Sequence, residues 1–218
     1  MTLLLDDVVA AEPGKERLPS AREILILKHA LAGFSRHGYA GTNLRALARS
    51  AGLTAPMVNY YFSSKEELFQ RLAMVIMATV DAQIVGAVGG EKSFEGTLLA
   101  IIRGHLGFAE TYPEGLSFLL ALVYGPSEGC PPIDLAPLYD GIQRRVHRAF
   151  DRAVRERQLV LRVGITLREA IDLYEALVDS LVLRAFKARR FGKPAPDDRI
   201  VERRLRWLLA SLGAHDSK

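Results

Sequence analysis

The residues best suited to contact nucleic acid lie in one short stretch between positions 42 and 65. No Asp or Glu occurs between Glu23 and Glu66, whereas Lys or Arg occurs five times in that interval. An acid-free basic stretch favours binding to a polyanion, here the phosphates of DNA, although a solvated basic surface would show the same charges. The kinds of side chain within the stretch have to distinguish these two interpretations.

Two short helices joined by a glycine-containing turn are predicted in this stretch. Thr42 is expected to cap the first helix and Thr54 the second, and Gly52 lies in the turn, where a positive φ is tolerated. The residues expected on the inner faces are Leu44, Leu47, Ala48, Leu53, Val58 and Phe62. Two such helices, braced by a third that precedes them, are typical of a helix-turn-helix.

The outer face of the second short helix predicts contact with DNA bases. It carries no charged side chain, which is unusual for a solvated helix and suits close approach to the floor of the major groove. The predicted base-facing residues are Thr54, Ala55, Pro56, Asn59 and Tyr60. The residues predicted to hold phosphates are Thr42, Asn43, Arg45, Tyr61 and Lys65.

These segments resemble the N-terminal domain of the TetR family of bacterial transcriptional regulators. The resemblance covers about residues 20–70 and rests on the sequences GYAGT at 38–42, ALARSAGLT at 46–54 and VNYYFSSKEEL at 58–68. It implies a homodimer that binds double-stranded operator DNA, with an all-helical C-terminal domain that dimerises and usually binds a small effector. The positions that match DNA contacts of the family are Thr42, Arg45, Thr54, Ala55, Asn59, Tyr60, Tyr61 and Lys65. Asn59 stands where many members have Tyr and Pro56 where Gly is common, so the base preference does not carry over.

The whole chain is predicted to be all-α. Ser20 with Glu23 begins the first helix, Gly38 ends it, and Thr166 begins a long periodic helix near the C-terminus. We expect a flexible arm at 1–19, a helix-turn-helix DNA-binding domain at 20–66 and a helical ligand-binding and dimerisation domain at 67–218. The two C-terminal helices are expected to form the homodimer interface, because the apolar stripe from Leu167 to Ala185 is long for one helix in so small a protein.

A histidine on the apolar side of a predicted helix marks a candidate effector site. His105 is either a core histidine with satisfied hydrogen bonds, the commoner case, or a polar anchor inside a pocket. Apolar walls with one imidazole and a few tyrosine hydroxyls would suit a small hydrophobic or aromatic molecule. The candidate lining residues are His105, Phe108, Tyr112, Phe118, Leu122, Ile142, Val146 and Tyr174.

Motifs for catalysis and metal binding are weak. Residues 125–129 match the Gly-x-Ser-x-Gly nucleophile elbow of hydrolases, but the elbow needs a strand before Ser127 and a helix directly after it. Pro131 and Pro132 block such a helix, so a turn-rich loop explains the motif better. The single cysteine, Cys130, excludes an internal disulfide and a Cys-based zinc site. We therefore predict no enzymatic activity, no metal and no cofactor.

Length and composition are those of a globular protein. The 218 residues are 49% hydrophobic and 25% charged, with a formal net charge of +4. The N-terminus lacks the basic region of a signal peptide, and no apolar run approaches the roughly 20 residues that cross a bilayer. We expect a cytoplasmic protein without a membrane partner.

Together these patterns predict a sequence-specific DNA-binding transcriptional regulator, a repressor that a small hydrophobic or aromatic effector releases from its operator. The alternative is a helical architectural or adaptor protein that binds DNA without any effector. The alternative predicts a C-terminal domain whose interior is too well filled to hold a ligand.

Overall fold

The computed structural model describes residues 20–125, 130–134 and 136–213, apart from the side chains at 137 and 138. This part of the chain forms helices and no strand, which confirms the all-α prediction. In chain order the helices are α1 Ala21–Gly41, α2 Leu44–Ser50, α3 Ala55–Tyr61, α4 Lys65–Val88, α5 Phe94–Thr111, α6 Pro113–Tyr124, α7 Ala136–Arg155, α8 Leu167–Phe191 and α9 Asp198–Leu212. The arm predicted at 1–19 lies outside the described residues.

The predicted start of α1 is confirmed, whereas the helix ends three residues later than predicted. The Ser20 side chain accepts a hydrogen bond from the backbone N–H of Glu23, and the Glu23 carboxylate accepts one from the backbone N–H of Ser20. This reciprocal pair satisfies two donors that every helix leaves open at its N-terminus. At Gly38 the backbone has a φ of 67°, so the helix kinks there, and one further turn runs to Gly41.

Helix α2 is capped one residue later than predicted. Asn43, not Thr42, is the N-cap: its side-chain oxygen accepts from the backbone N–H groups of Arg45, at 2.8 Å, and Ala46, at 3.4 Å. Thr42 is instead the C-cap of α1: its hydroxyl donates to the Gly38 carbonyl at 2.7 Å and its backbone N–H to the Tyr39 carbonyl. The cap prediction for Thr54 is confirmed, since its hydroxyl accepts from the backbone N–H of Met57.

Residue contacts divide the described chain into two compact units. One unit takes the residues up to Ala82 together with those from Tyr112 to Leu138, and the other takes Gln83–Thr111 together with those from Tyr139 onward. Helix α4 therefore contributes residues to both. The boundary predicted at 66/67 concerns function rather than packing and stays a prediction.

The first unit is built around aromatic side chains from α1, α4 and α6. Phe69 meets Phe34 edge-on at 4.9 Å between ring centroids and meets Phe118 at 5.2 Å. Helix α6 continues to Tyr124, and the N–H of Gly125 donates to the Ala121 carbonyl as the helix ends. A helix thus stands where the nucleophile elbow requires a strand, which removes the structural basis of the hydrolase interpretation. Residues 126–129 lie outside the described chain.

The second unit packs α5 against α8 and α9. Phe150 contacts the rings of Phe94 and Tyr174 at 5.0 and 5.9 Å between centroids. The Tyr174 hydroxyl is fully buried and donates to the Leu98 carbonyl at 2.7 Å. On the surface, Arg103 of α5 pairs with Asp198 and Glu202 of α9.

Helix α4 is more apolar than expected, because the sequence was predicted to hold no apolar run long enough to cross a bilayer. Within the described chain it is the one helix whose length and composition would allow it to cross a membrane, although 44% of its most apolar stretch is buried inside the protein. Core helices of globular proteins pass the same test, so this helix is weak evidence for a membrane span. The burial reflects its share in the cores of both units.

Gly104 permits a close approach of two helices, which gives a stability prediction. A Cβ atom at this position would lie 2.7 Å from Cα of Ile84, whereas one at Gly107 of the same helix would meet only a side-chain oxygen at 3.7 Å. We expect Gly104→Ala to lower the free energy of unfolding by about 1–3 kcal/mol through overpacking, measured by urea denaturation. Gly107→Ala is the matched control and should leave stability unchanged or raise it, since Ala favours a helix. Equal stabilities of the two variants would contradict this account of the helix contact.

Candidate nucleic-acid interface

The turn between α2 and α3 sets the position of the second short helix. Gly52 has a φ of 68°, and the backbone N–H of Leu53 donates to the Ala48 carbonyl at 2.8 Å. Thr54 then caps α3, and Pro56 falls in its first turn, where the missing N–H leaves no hydrogen bond unmade. The local sequence thus fixes both the turn and the start of α3.

The inner and outer faces of α3 are as different as the sequence predicts. Val58 and Phe62 are buried, as are Leu47 and Ala48 on α2. On the outer side Thr54, Pro56 and Asn59 are exposed, Ala55 is half-buried, and Tyr60 has 84% of its surface exposed. The base-facing set therefore forms one accessible surface without a charged side chain.

The residues predicted to hold phosphates fall into two groups. Asn43 and Arg45 are exposed at the N-terminus of α2, and Tyr61 is half-buried at the end of α3, where its ring meets Tyr60 edge-on at 5.2 Å. By contrast, the polar groups of Thr42 and Lys65 form hydrogen bonds within the protein. Only 6% of Thr42 is exposed, and the Lys65 ammonium donates to the Thr42 carbonyl at 3.0 Å.

The sequence did not predict two features near this surface. Tyr39 lies beneath the Lys65 ammonium, which is 4.2 Å from the ring centroid. A groove of about 440 Å³ runs between α1 and α2, with His29, Arg36 and His37 on its α1 side. The spacing of those three residues along one face of α1 could have revealed the groove, whereas nothing in the spacing of Tyr39 and Lys65 indicates their contact.

Comparison with known proteins identifies the family of the segment that holds α2 and α3. Residues 26–72, which include α2 and α3, match the sequence model of the bacterial regulatory proteins of the tetR family. This segment of the chain therefore carries the N-terminal motif of the tetR family. The chain is 34% identical over 125 residues to the HTH-type transcriptional regulator Rv1816 of Mycobacterium tuberculosis, a match that covers 54% of this chain and 49% of the relative. The chain therefore spans about half the length of the mycobacterial relatives that it matches.

Solved structures of bacterial regulators share the fold of most of this chain. The fatty acid degradation regulator FadR of Bacillus halodurans superposes with a TM-score of 0.69 at 15% identity, covering 91% of this chain and all of that one. FadR of Bacillus subtilis, in complex with stearoyl-CoA, gives a TM-score of 0.66 at 15% identity, covering 86% of this chain and 98% of that one. At these identities the likeness concerns the fold alone.

The eight residues predicted to line an effector site are distributed over both compact units. Tyr112, Phe118 and Leu122 belong to the first unit, and His105, Phe108, Ile142, Val146 and Tyr174 to the second. Most are buried, Leu122 and His105 only partly. The Tyr174 hydroxyl is already satisfied by Leu98, which makes it part of the core rather than a ready anchor for a ligand. The effector role of the set stays a prediction.

One ring nitrogen of His105 donates a hydrogen bond within the protein, and the other is a hydrogen-bond acceptor. Its Nδ1 lies 2.9 Å from the Ile101 carbonyl, an acceptor, so Nδ1 carries the proton and Nε2 is the acceptor nitrogen. Burial lowers the pKa of His105, although Ile101 and the nearby Asp179 carboxylate oppose this shift. Burial likewise raises the pKa of Asp179 and Glu175 on α8. A neutral imidazole beside partly buried carboxyl groups can accept a hydrogen bond from a ligand.

No three His, Cys, Asp or Glu side chains in the described ranges are grouped so as to hold a metal ion.

The lowered pKa of His105 predicts how stability depends on pH. Below the usual histidine pKa of 6.5, the unfolded chain takes up a proton at this position before the folded protein does. The free energy of unfolding should therefore fall as pH decreases below that value, and His105→Gln should remove this component. Urea denaturation of both proteins between about pH 7.5 and 5.5 measures the difference. If the wild type and His105→Gln showed the same pH dependence, His105 would have the same pKa in the folded and the unfolded protein.

Proposed function

We propose that this TetR-family protein is a dimeric repressor that binds operator DNA and is released by a small hydrophobic or aromatic effector. The observation that carries the proposal is the outer face of α3, which is exposed and uncharged within a stretch of chain that has no acidic residue from 24 to 65. A helix face that only meets water usually carries charged side chains, whereas this uncharged face fits the edges of base pairs.

The proposed contacts follow from the position of each side chain. Thr54, Ala55, Pro56, Asn59 and Tyr60 face the bases, with Asn59 offering both a donor and an acceptor to adenine. Asn43, Arg45 and Tyr61 flank them and hold the sugar–phosphate backbone. Thr42 and Lys65 support this surface from the protein side.

The proposed dimer interface is the outer surface of α8 and α9. This surface exposes three large apolar side chains, with 47% of Leu173, 65% of Phe191 and 66% of Trp207 accessible. Along α8 all four acidic residues precede Ser180, and four of its five basic residues follow it. Antiparallel pairing of α8 with a second copy would align opposite charges along the two helices. A two-fold axis there would present two α3 helices to successive major grooves, about 34–36 Å apart.

The proposed effector acts through the difference in its affinity for two conformations. A ligand held near His105 lowers DNA affinity only if it binds better to a conformation that fits the operator poorly, and DNA must then weaken ligand binding by the same factor. FadR of Bacillus subtilis, which shares this fold, is in complex with stearoyl-CoA, so the fold can accommodate a ligand with a long apolar chain. The same fold in this chain supports a ligand-responsive regulator over an effector-independent DNA-binding protein.

Selection of bound DNA from a random pool of duplexes tests the proposed function. We expect a pseudo-palindromic site whose half-sites lie about one helical turn apart. Asn59→Ala should select a different base at one position of each half-site, because it removes a base contact, whereas Arg45→Ala should weaken binding to all sequences alike. Failure of the wild-type protein to retain any duplex at low salt would refute the proposal.

Displacement from the selected duplex tests the effector. We expect at least one compound in a panel of hydrophobic and aromatic small molecules to weaken DNA binding, and His105→Gln to reduce that response while leaving binding in the absence of ligand intact. The readout is a mobility shift at a fixed protein concentration with increasing ligand. If no compound acts and the purified protein takes up none of them, the effector-independent alternative stands.

A further inference from the structure

We propose that Lys65 is a positioning residue for DNA binding: it fastens the first turn of α4 to the segment before α2 and so holds the phosphate-facing end of α2 in place. This inference rests on the proposed DNA-binding function. It assigns to Lys65 a different role from the phosphate contact that the sequence predicts.

The Lys65 ammonium is held by two groups of its own chain. Nζ donates to the Thr42 carbonyl at 3.0 Å and lies 4.2 Å from the centroid of the Tyr39 ring. A cation over an aromatic face is attracted by the negative potential of the ring, and the carbonyl oxygen adds a charge-assisted hydrogen bond. Lys65 is accordingly half-buried, whereas Arg45 is exposed.

The groups that hold the ammonium are themselves fixed. The Thr42 hydroxyl donates to the Gly38 carbonyl at 2.7 Å, and its methyl group lies over Gly33, where a Cβ atom would be only 3.2 Å away. Tyr39 meets Phe69 of α4 edge-on at 5.0 Å between ring centroids. Lys65 therefore joins two segments that each have independent support.

The position of this contact explains why it matters for DNA. Asn43, the N-cap of α2, directly follows Thr42, so the carbonyl that accepts from Lys65 belongs to the peptide group that leads into the cap. Any displacement of the Thr42 carbonyl moves the first N–H groups of α2 and the exposed Arg45. A shift of about 1 Å at such a position is enough to misalign hydrogen bonds to a phosphate.

A double-mutant cycle between Lys65 and Tyr39 separates positioning from phosphate binding. The variants are Lys65→Met, Tyr39→Leu and their combination, with Tyr39→Phe as the matched control that keeps the aromatic ring. Arg45→Ala serves as the reference for loss of a phosphate contact. Affinity for the selected duplex is measured at several salt concentrations for each protein.

We expect Lys65→Met and Tyr39→Leu each to weaken binding by about tenfold, because each breaks the same contact. The combination should stay near tenfold rather than reach about a hundredfold, and Tyr39→Phe should bind like the wild type. The salt dependence of Lys65→Met should match that of the wild type, while Arg45→Ala lowers the slope by about one unit. The inference would be overturned if the double variant lost about a hundredfold in affinity. It would also be overturned if the salt dependence of Lys65→Met had a slope as low as that of Arg45→Ala.

Urea unfolding of the same proteins without DNA gives a second readout, which does not depend on the proposed function. The two single substitutions should lower the unfolding midpoint by amounts that are less than additive in the combination, and Tyr39→Phe should be close to the wild type. Additive losses would show that Lys65 and Tyr39 do not interact in the folded protein. If the wild type binds no duplex, the proposed function fails, and this second cycle still decides whether the contact exists.

Discussion

The burial of one face of α3 is the constraint on which the remaining structure of this surface depends. The helix has seven residues, so once Val58 packs against the interior and Phe62 ends the helix in a buried position, the other residues have to face water. Because isolated helices of this length are unstable, α3 persists only through that packing and the caps at its ends. The exposed face is therefore presented on a rigid support, as direct readout of base edges requires.

Support for that surface comes from the segment between α1 and α2, which is held without regular structure. The positive φ of Gly38 turns the chain, the Thr42 side chain closes that turn onto the Gly38 carbonyl, and Lys65 binds the Thr42 carbonyl. The hydroxyl and the carbonyl of Thr42 thus each have a partner within the protein. The N-terminus of α2, where the proposed phosphate contacts lie, therefore has its cap and its supporting contacts within the protein.

Local patterns in the sequence predicted the features that depend on neighbouring residues. The cap at Ser20 and the two faces of α3 follow from side chains within four positions of one another, whereas Gly38, predicted to end α1, only kinks it. Sequence spacing did not show that Thr42 turns inward, where its methyl group lies against Gly33 nine residues earlier, and that Asn43 caps α2. The contact of Lys65 with Tyr39 spans 26 positions and two helices, so it belongs to tertiary packing and leaves no periodic signal.

The same distinction explains why the effector site is harder to derive than the DNA surface. A DNA-binding face has to be exposed and uncharged, and both properties can be read from the residues of one short helix. A site for an apolar ligand is lined by the same side chains as an ordinary core, and Tyr174 illustrates this, since its ring and hydroxyl are fully used within the protein. His105 differs because burial lowers its pKa while leaving Nε2 as an acceptor. Because His105 is only partly buried, its Nε2 can accept a hydrogen bond from a ligand, and the proposed ligand site is therefore centred on this residue.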